Sequence, residues 1–167
     1  SDLRLIDQVL TLNLENTLFV DNTASASVAQ VYERVLTASI GVVASNKIAA
    51  SDHMERYQNL RELARRHRTQ YRFEANVGAG LPIMDTLHHL VQSGDRIHRI
   101  EAVLSGTLNY IFSALDHQQT LSQAVQGARQ AGYTEPDPRL DLNGVDVQRK
   151  LLILAREVGY ELNLAEV

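Results

Sequence analysis

The chain has 167 residues, 44% of them apolar, 22% charged and 5% aromatic, enough for one domain or two small ones around a real core. A formal net charge of −4 denies it the basic field of a general nucleic-acid binder, and no uninterrupted apolar run approaches the ~20 residues of a bilayer span. With no cysteine there are no disulfides, zinc thiolates or thiol nucleophiles; no charged-then-apolar leader opens the chain, so a cytoplasmic protein that binds neither membrane nor nucleic acid is expected.

Leu3, Ile6, Val9 and Leu10 recur at helical spacing, and the run Leu18-Phe19-Val20 then reads as a strand closing in the polar stretch Asp21-Asn22-Thr23. Val28, Val31, Tyr32 and Leu36 predict one helix, and Gly41 to Ala44 a second strand ending in Ser45-Asn46-Lys47. Met54, Tyr57, Leu60 and Ala64 line one face of the next helix. Strands alternating with helices over short connections imply βαβ units and a parallel sheet across residues 1 to about 75.

The second half differs. Tyr71, Phe73 and Ala75 alternate with polar residues, and Pro82 suits the first turn of a helix through Ile83, Leu87, Leu90 and Val91. Ile97 to Leu104 alternates as a strand, after which Ser105 or Thr107 can cap a helix through Leu108, Ile111, Phe112 and Leu115. A further helix stops at Gly132, the stretch from Tyr133 to Gly144 is a proline-constrained loop, and a last helix runs from about Val145 to Val158 with Gly159 as its stop.

The basic residues are 14 arginines and only two lysines, Lys47 and Lys150. An ammonium can be tuned by burial to exchange protons near neutrality, whereas a guanidinium stays protonated, so two retained lysines are candidates for proton transfer; codon bias is the plain alternative. Asp146 and Lys150 stand four apart and share a helix face. They read either as an ordinary i,i+4 ion pair behind an Asn143 cap or as a lysine acid/base oriented by an aspartate.

Within the loop, Pro136 and Pro138 hold Glu135 and Asp137 extended, which suits recognition of an ammonium group as well as a stiff acidic surface. Asn22 to Ser25 and Asn46-Lys47 both follow strands and so share the carboxyl edge of the sheet, where ligands bind. Gly78-Ala79-Gly80 lacks the third glycine of a dinucleotide fingerprint, and the adjacent His88 and His89 point about 100° apart on a helix, which disfavours a shared metal.

The runs Val77 to Pro82, Leu104-Ser-Gly-Thr-Leu-Asn-Tyr-Ile-Phe112, Gly132-Tyr-Thr-Glu-Pro-Asp-Pro-Arg139 and Asp146 to Arg156 resemble homoserine dehydrogenase, particularly the form fused behind an aspartokinase. Asp21 to Ser25 and Ser45 to Lys47 match in the same order. The resemblance implies interconversion of L-homoserine and L-aspartate 4-semialdehyde with NAD(P), on the route to threonine, methionine and isoleucine. It implies Lys150 as the proton-transferring residue with Asp146 as its partner, and Glu135 and Asp141 as carboxylates holding the substrate ammonium. Gly106, Thr107 and Tyr133 correspond to the substrate pocket wall. Thr23, Lys47 and Gly132 match cofactor-side positions, and Glu74, Val77, Ala79 and Leu81 match a monovalent-cation site, usually sodium.

The sequence departs from the family pattern at Leu140, where an aspartate is usual, and in having no amino-terminal strand with a GxGxxG turn. The expected architecture is therefore α/β: a partial Rossmann-like parallel sheet in residues 1–75, the back half of an NAD(P)-binding domain, followed by an α+β catalytic and dimerisation domain in 76–167, truncated at its carboxyl end. A homodimer is expected. The competing reading is a non-catalytic dimerisation or regulatory module that retains the fold.

Overall fold

Gly41 to Ala44 is a short apolar run that forms a central strand, buried at Gly41, Val42 and Ala44 and open at Val43. In the computed structural model, which describes every residue except Ser1, Asn13, His117, Gln118 and Glu135, this run is the central strand of a parallel sheet ordered β1-β2-β3. The strands are β1 (Leu18–Asp21), β2 (Gly41–Ala44) and β3 (Tyr71–Arg72). β1 pairs with β2 from Leu18↔Gly41 to Asp21↔Ala44, and β2 with β3 through Val42↔Tyr71 and Val43↔Arg72. β1 is an edge strand with Leu18 and Val20 exposed, whereas Val42 and Ala44 are buried.

Helix α1 (Asp2–Leu12) precedes β1, and α4 (Met54–Arg66) crosses from β2 to β3. The single helix expected after β1 is two short ones, α2 (Ala26–Ala29) and α3 (Tyr32–Thr37). The last turn of α2 tightens, Val31 N–H bonding to the Val28 carbonyl at 3.2 Å, and α3 restarts at the buried Tyr32. Such a break is invisible to apolar spacing, because both pieces keep the same buried face.

The remaining helices are α5 (Ile83–Gln92), α6 (Gly106–Asp116), α7 (Leu121–Gln130), α8 (Arg139–Leu142) and α9 (Val145–Glu157), with single 3₁₀ turns at Glu74–Asn76 and Leu164–Glu166. One buried cluster joins Tyr32, Val35 and Leu36 of α3, Val42 of β2, and Tyr57 and Leu60 of α4 to Ile153 and Leu154 of α9. α9 is therefore docked on the sheet's own core. A smaller cluster of Ile111, Ala124 and Ala128 joins α6 to α7.

Two turns are set by glycine. Gly78 has φ +80°, so the bend into α5 favours glycine, and a Cβ there, 2.2 Å from Ile83 Cδ1, would also force that side chain to turn aside. Gly159, at φ +97°, ends α9 as expected, with Tyr160 N–H returning to the Ala155 carbonyl at 3.0 Å.

The expected strand from Ile97 to Leu104 is not formed. A strand exists only where a neighbour takes its backbone donors and acceptors. No described segment pairs with this one, and Ile100 and Val103 are exposed. Among the described residues the second half is helical, and the α+β expectation for it is corrected accordingly.

Candidate active site

The two lysines of the chain converge on one carboxylate. The N-cap of α9 is Gly144, at φ +72°, and not Asn143 as expected; Asn143 stands one position before it, its Oδ1 accepting Val145 N–H at 3.0 Å. Asp146 falls in the first turn, where the helix dipole favours a negative charge, and Lys150 lies one turn further on. Lys150 Nζ donates to Asp146 Oδ2 at 2.7 Å and to the Leu104 carbonyl at 2.7 Å. Lys47, from the turn after β2, places its Nζ 3.2 Å from the other oxygen, Asp146 Oδ1.

Burial pushes the Asp146 carboxyl up, but the Lys150 hydrogen bond and the Lys47 charge outweigh it and hold the group below the usual carboxylate range. An ammonium has three N–H donors, and two of those on Lys150 are committed. One remains for a bound oxygen. The lysine side chains are 20% and 26% exposed, for Lys150 and Lys47, so both are reachable from solvent yet constrained.

The turns that carry Thr23 and Lys47 are fixed by a buried polar network at the carboxyl edge of the sheet. Asp21, 2% exposed, accepts Thr23 N–H at 2.7 Å, the Tyr32 hydroxyl at 2.5 Å and Asn46 Nδ2 at 3.0 Å. Burial alone would push its carboxyl up; these donors hold it below the ordinary value, and the same contact together with burial pushes the Tyr32 hydroxyl far up. Asn46 also donates to the Ser25 carbonyl at 3.0 Å and accepts Ile48 N–H at 3.1 Å. Asn76, its amide nitrogen turned toward β2, reaches the Ala44 carbonyl at 2.9 Å and that of Ser45 at 3.1 Å. Asp21↔Ala44 are register partners, so the Thr23 and Lys47 turns leave the sheet side by side. An exposed Thr23 and a lysine at that edge fit a dinucleotide there.

Two of the residues expected to form a pocket wall, Thr107 and Tyr133, are joined in the structure. Ser105, not Thr107, caps α6, its Oγ accepting Leu108 N–H at 3.1 Å. The Thr107 hydroxyl is free for another task and donates to the Tyr133 carbonyl, tying the start of α6 to the turn after α7. Gly106 begins α6, Gly132 sits at φ +75°, and the Tyr133 ring lies against that of Tyr110 with centroids 5.1 Å apart. Asp141 lies on α8, directly before α9. Glu135 lies outside the described residues.

The four residues matched to a cation site surround the turn into α5. Both oxygens of Glu74 accept backbone N–H groups of that helix, from Met84 and Asp85, each at 2.9 Å. The Leu81 carbonyl accepts Ile83 N–H at 2.8 Å, Val77 is buried, and Ala79 has φ +53°. Among the described residues no group of three or more His, Asp or Glu could hold a metal ion. A cation at this turn would rest on backbone carbonyls, which is the donor set a monovalent ion accepts.

Sequence reasoning passed over Arg156. This guanidinium is 4% exposed and donates to three backbone carbonyls, of Ala50, Asp52 and Leu162. Its only signal was position: it falls on the buried stripe of α9 with Leu152 and Ile153.

Residues 82–167 match the family model described as homoserine dehydrogenase, and residues 3–74 the one described as homoserine dehydrogenase, NAD binding domain. A bifunctional aspartokinase/homoserine dehydrogenase of Zea mays is 51% identical over 152 residues, which is 91% of this chain and 16% of that protein. Homoserine dehydrogenase of Schizosaccharomyces pombe is 44% identical over 153 residues, 89% of this chain and 41% of that protein. The chain thus spans well under half the length of these curated relatives. Among solved structures, a hyperthermophilic archaeal homoserine dehydrogenase in complex with NADPH superposes with a TM-score of 0.75 at 30% identity, covering 84% of this chain and 43% of that one. Joined across its length by these two models, the chain belongs to the homoserine dehydrogenase family.

Proposed function

We propose that the protein of which this chain is part interconverts L-homoserine and L-aspartate 4-semialdehyde, with Lys150 as the proton carrier. The observation that supports this best is the Lys150 ammonium held between Asp146 and the Leu104 carbonyl with one donor uncommitted. Bound NAD(P)(H) supplies or accepts the hydride at the substrate carbon. In the reducing direction Lys150 gives a proton to the oxygen as it becomes an alkoxide, and Lys47 adds a second positive charge beside it; in the oxidising direction the neutral Lys150 amine takes the hydroxyl proton. Proton transfer from a positioned group contributes about 10²–10⁴-fold.

Around that centre, Glu135 and Asp141 hold the substrate ammonium, and Gly106, Thr107 and Tyr133 form the pocket wall. Thr23, Lys47 and Gly132 face the cofactor, and a sodium or similar ion sits on the turn of Glu74, Val77, Ala79 and Leu81. Residues 1–75 act as the back part of the NAD(P)-binding domain and 76–167 as the substrate domain, a division supported by family matches that meet between residues 74 and 82. A homodimer, fusion to an aspartokinase and a cytoplasmic location complete the proposal. The fusion is supported by the bifunctional relatives, and no helix among the described residues is long and apolar enough to cross a membrane.

Lys150→Arg in the intact enzyme tests the central role. Arginine keeps the charge and the pairing with Asp146 but does not readily release a proton. The expected outcome is a fall in kcat of at least ~10²-fold with homoserine KM little changed. An active Lys150→Arg enzyme refutes the assignment and favours a structural ion pair.

A further inference from the structure

Lys47 and Lys150 come from distant parts of the chain, and their meeting at Asp146 depends on how the turn after β2 is held against α9. That turn, residues 45–53, has several internal bonds: Ser51 Oγ donates to the Lys47 carbonyl at 2.7 Å, and Asp52 pairs with Arg56 at 2.6 Å. These shape the turn without tying it to α9. Ala49 and Ala50 pack in the same core as Ile153 and Leu154 of α9, and the polar tie to the turn's backbone comes from Arg156, whose Nη1 donates to the Ala50 carbonyl at 2.9 Å and whose Nη2 donates to that of Asp52 at 2.6 Å. Those carbonyls lie three and five residues beyond Lys47. Nε and Nη2 also reach the Leu162 carbonyl, at 3.1 and 2.8 Å, so the segment after α9 is drawn into the same clasp. Beneath it the Tyr57 ring of α4 lies 4.9 Å from the guanidinium carbon.

The partners of this guanidinium are unusual. Among the described residues it is buried with hydrogen bonds to carbonyls and to no carboxylate, and desolvation outweighs the nearby Asp52 charge and holds its pKa below the usual arginine range. A cation kept in such a place by neutral carbonyls is costly as plain packing, because an apolar side chain of similar volume avoids the desolvation. What an apolar residue cannot do is grip three backbone carbonyls on two segments at fixed angles from one planar fork. Lys150 lies six residues earlier on the same helix, about 9 Å along its axis.

We propose that Arg156 is a positioning residue that clasps the Lys47 turn to α9, so that Lys47 and Lys150 share Asp146. The proposal rests on the reading of that trio as the reacting end of the site, but its test does not use turnover. This chain has two lysines, and in a lysine-selective 13Cε–15Nζ spectrum of the protein their signals are identified by their loss in Lys47→Arg and Lys150→Arg. Asp146→Asn is expected to shift both signals in the wild-type background. In the Arg156→Gln background, Asp146→Asn is expected to shift the Lys150 signal, since that pair lies within one helix, while most of the Lys47 response is lost. Arg156→Lys keeps the charge and part of the carbonyl bonding; it is expected to retain an intermediate Lys47 response, with its extra signal identified by absence from wild type. This variant carries the test if Arg156→Gln does not fold.

A purely structural Arg156 gives a different result: a lower melting temperature with both lysines still responding fully to Asp146→Asn, and this overturns the proposal. So does a Lys47 signal that ignores Asp146→Asn in the wild-type background. If the clasp is confirmed while Lys150→Arg remains active, the positioning role stands and the proton-carrier role falls, so the two failures are distinguishable.

Discussion

Asp21→Asn tests whether the sheet edge owes its order to a charge. Three donors converge on the buried carboxylate: Thr23 N–H, the Tyr32 hydroxyl and the Asn46 amide. An asparagine oxygen at the Oδ1 position keeps the Thr23 bond. Its NH₂ then faces Tyr32, whose hydroxyl can turn and accept, and Asn46 Nδ2, which cannot. One charge-assisted bond is lost, at about 1.5–3 kcal/mol, and a buried donor is left facing a donor, at about 1–3 kcal/mol. Relief of carboxylate desolvation offsets part of this, leaving an expected loss of about 2–4 kcal/mol. At about 2–4 °C per kcal/mol for a domain of this size, the melting temperature falls by roughly 5–15 °C.

The pH dependence supplies a second check. The native Asp21 pKa is depressed, so its stabilisation is present above the unfolded value of about 3.9 and is lost as pH falls through the lower folded value. Urea unfolding of wild type and variant should therefore show a constant gap from neutrality down to about pH 5 that narrows below about 3.9. A neutral-pH gap under about 0.5 kcal/mol, or one that does not narrow in acid, refutes the argument.

Gly78→Ala puts an L-residue on a left-handed backbone and makes Ile83 turn aside, and thermal unfolding should show a loss of about 1–2 kcal/mol; a neutral result would mean that the turn into α5 is not built as described. Thr107→Val removes the hydroxyl that holds the Tyr133 carbonyl, and in the intact enzyme homoserine KM is expected to rise while Thr107→Ser stays near wild type; equal kinetics for both variants would count against it. Glu74→Gln can satisfy only one of the two α5 N–H groups and loses the charge at that helix start, which should lower stability by about 1 kcal/mol in denaturant titration.

Much of this fold is legible in the sequence where one rule acts alone. β2 is readable to the residue because a central strand paired on both edges is a short apolar run between turn signals. Asp146 and Lys150 are readable because helical spacing fixes their shared face whatever surrounds them. The Ile97–Leu104 segment misleads because alternation encodes only the capacity to pair, and pairing belongs to two segments at once. Ser105 and Thr107 offer equal capping chemistry, and only the position of Tyr133 decides which hydroxyl is spent where. Asp21 and Arg156 stay hidden because a charged residue in a sequence reads as surface. Their burial is visible only once the backbone groups that satisfy them are in place.

The site is assembled from distant parts of the chain. Lys47 falls within the segment matched to the NAD-binding part, and Asp146 and Lys150 within the segment matched to the rest. Neither segment alone contains the trio. Two ammonium groups around one carboxylate leave a net positive charge at a partly buried point, and that is the electrostatic environment a developing alkoxide requires. Asp146 makes the arrangement tolerable, since without it two like charges would be held close together uncompensated. The environment therefore depends on docking α9 onto the sheet's core through Ile153 and Leu154 and on gripping the turn after β2 through Arg156. On this view, packing at the far end of α9 is part of how charge is arranged at its near end. A substitution that loosens the docking while leaving every member of the trio intact should weaken the site by separating Lys47 from Asp146.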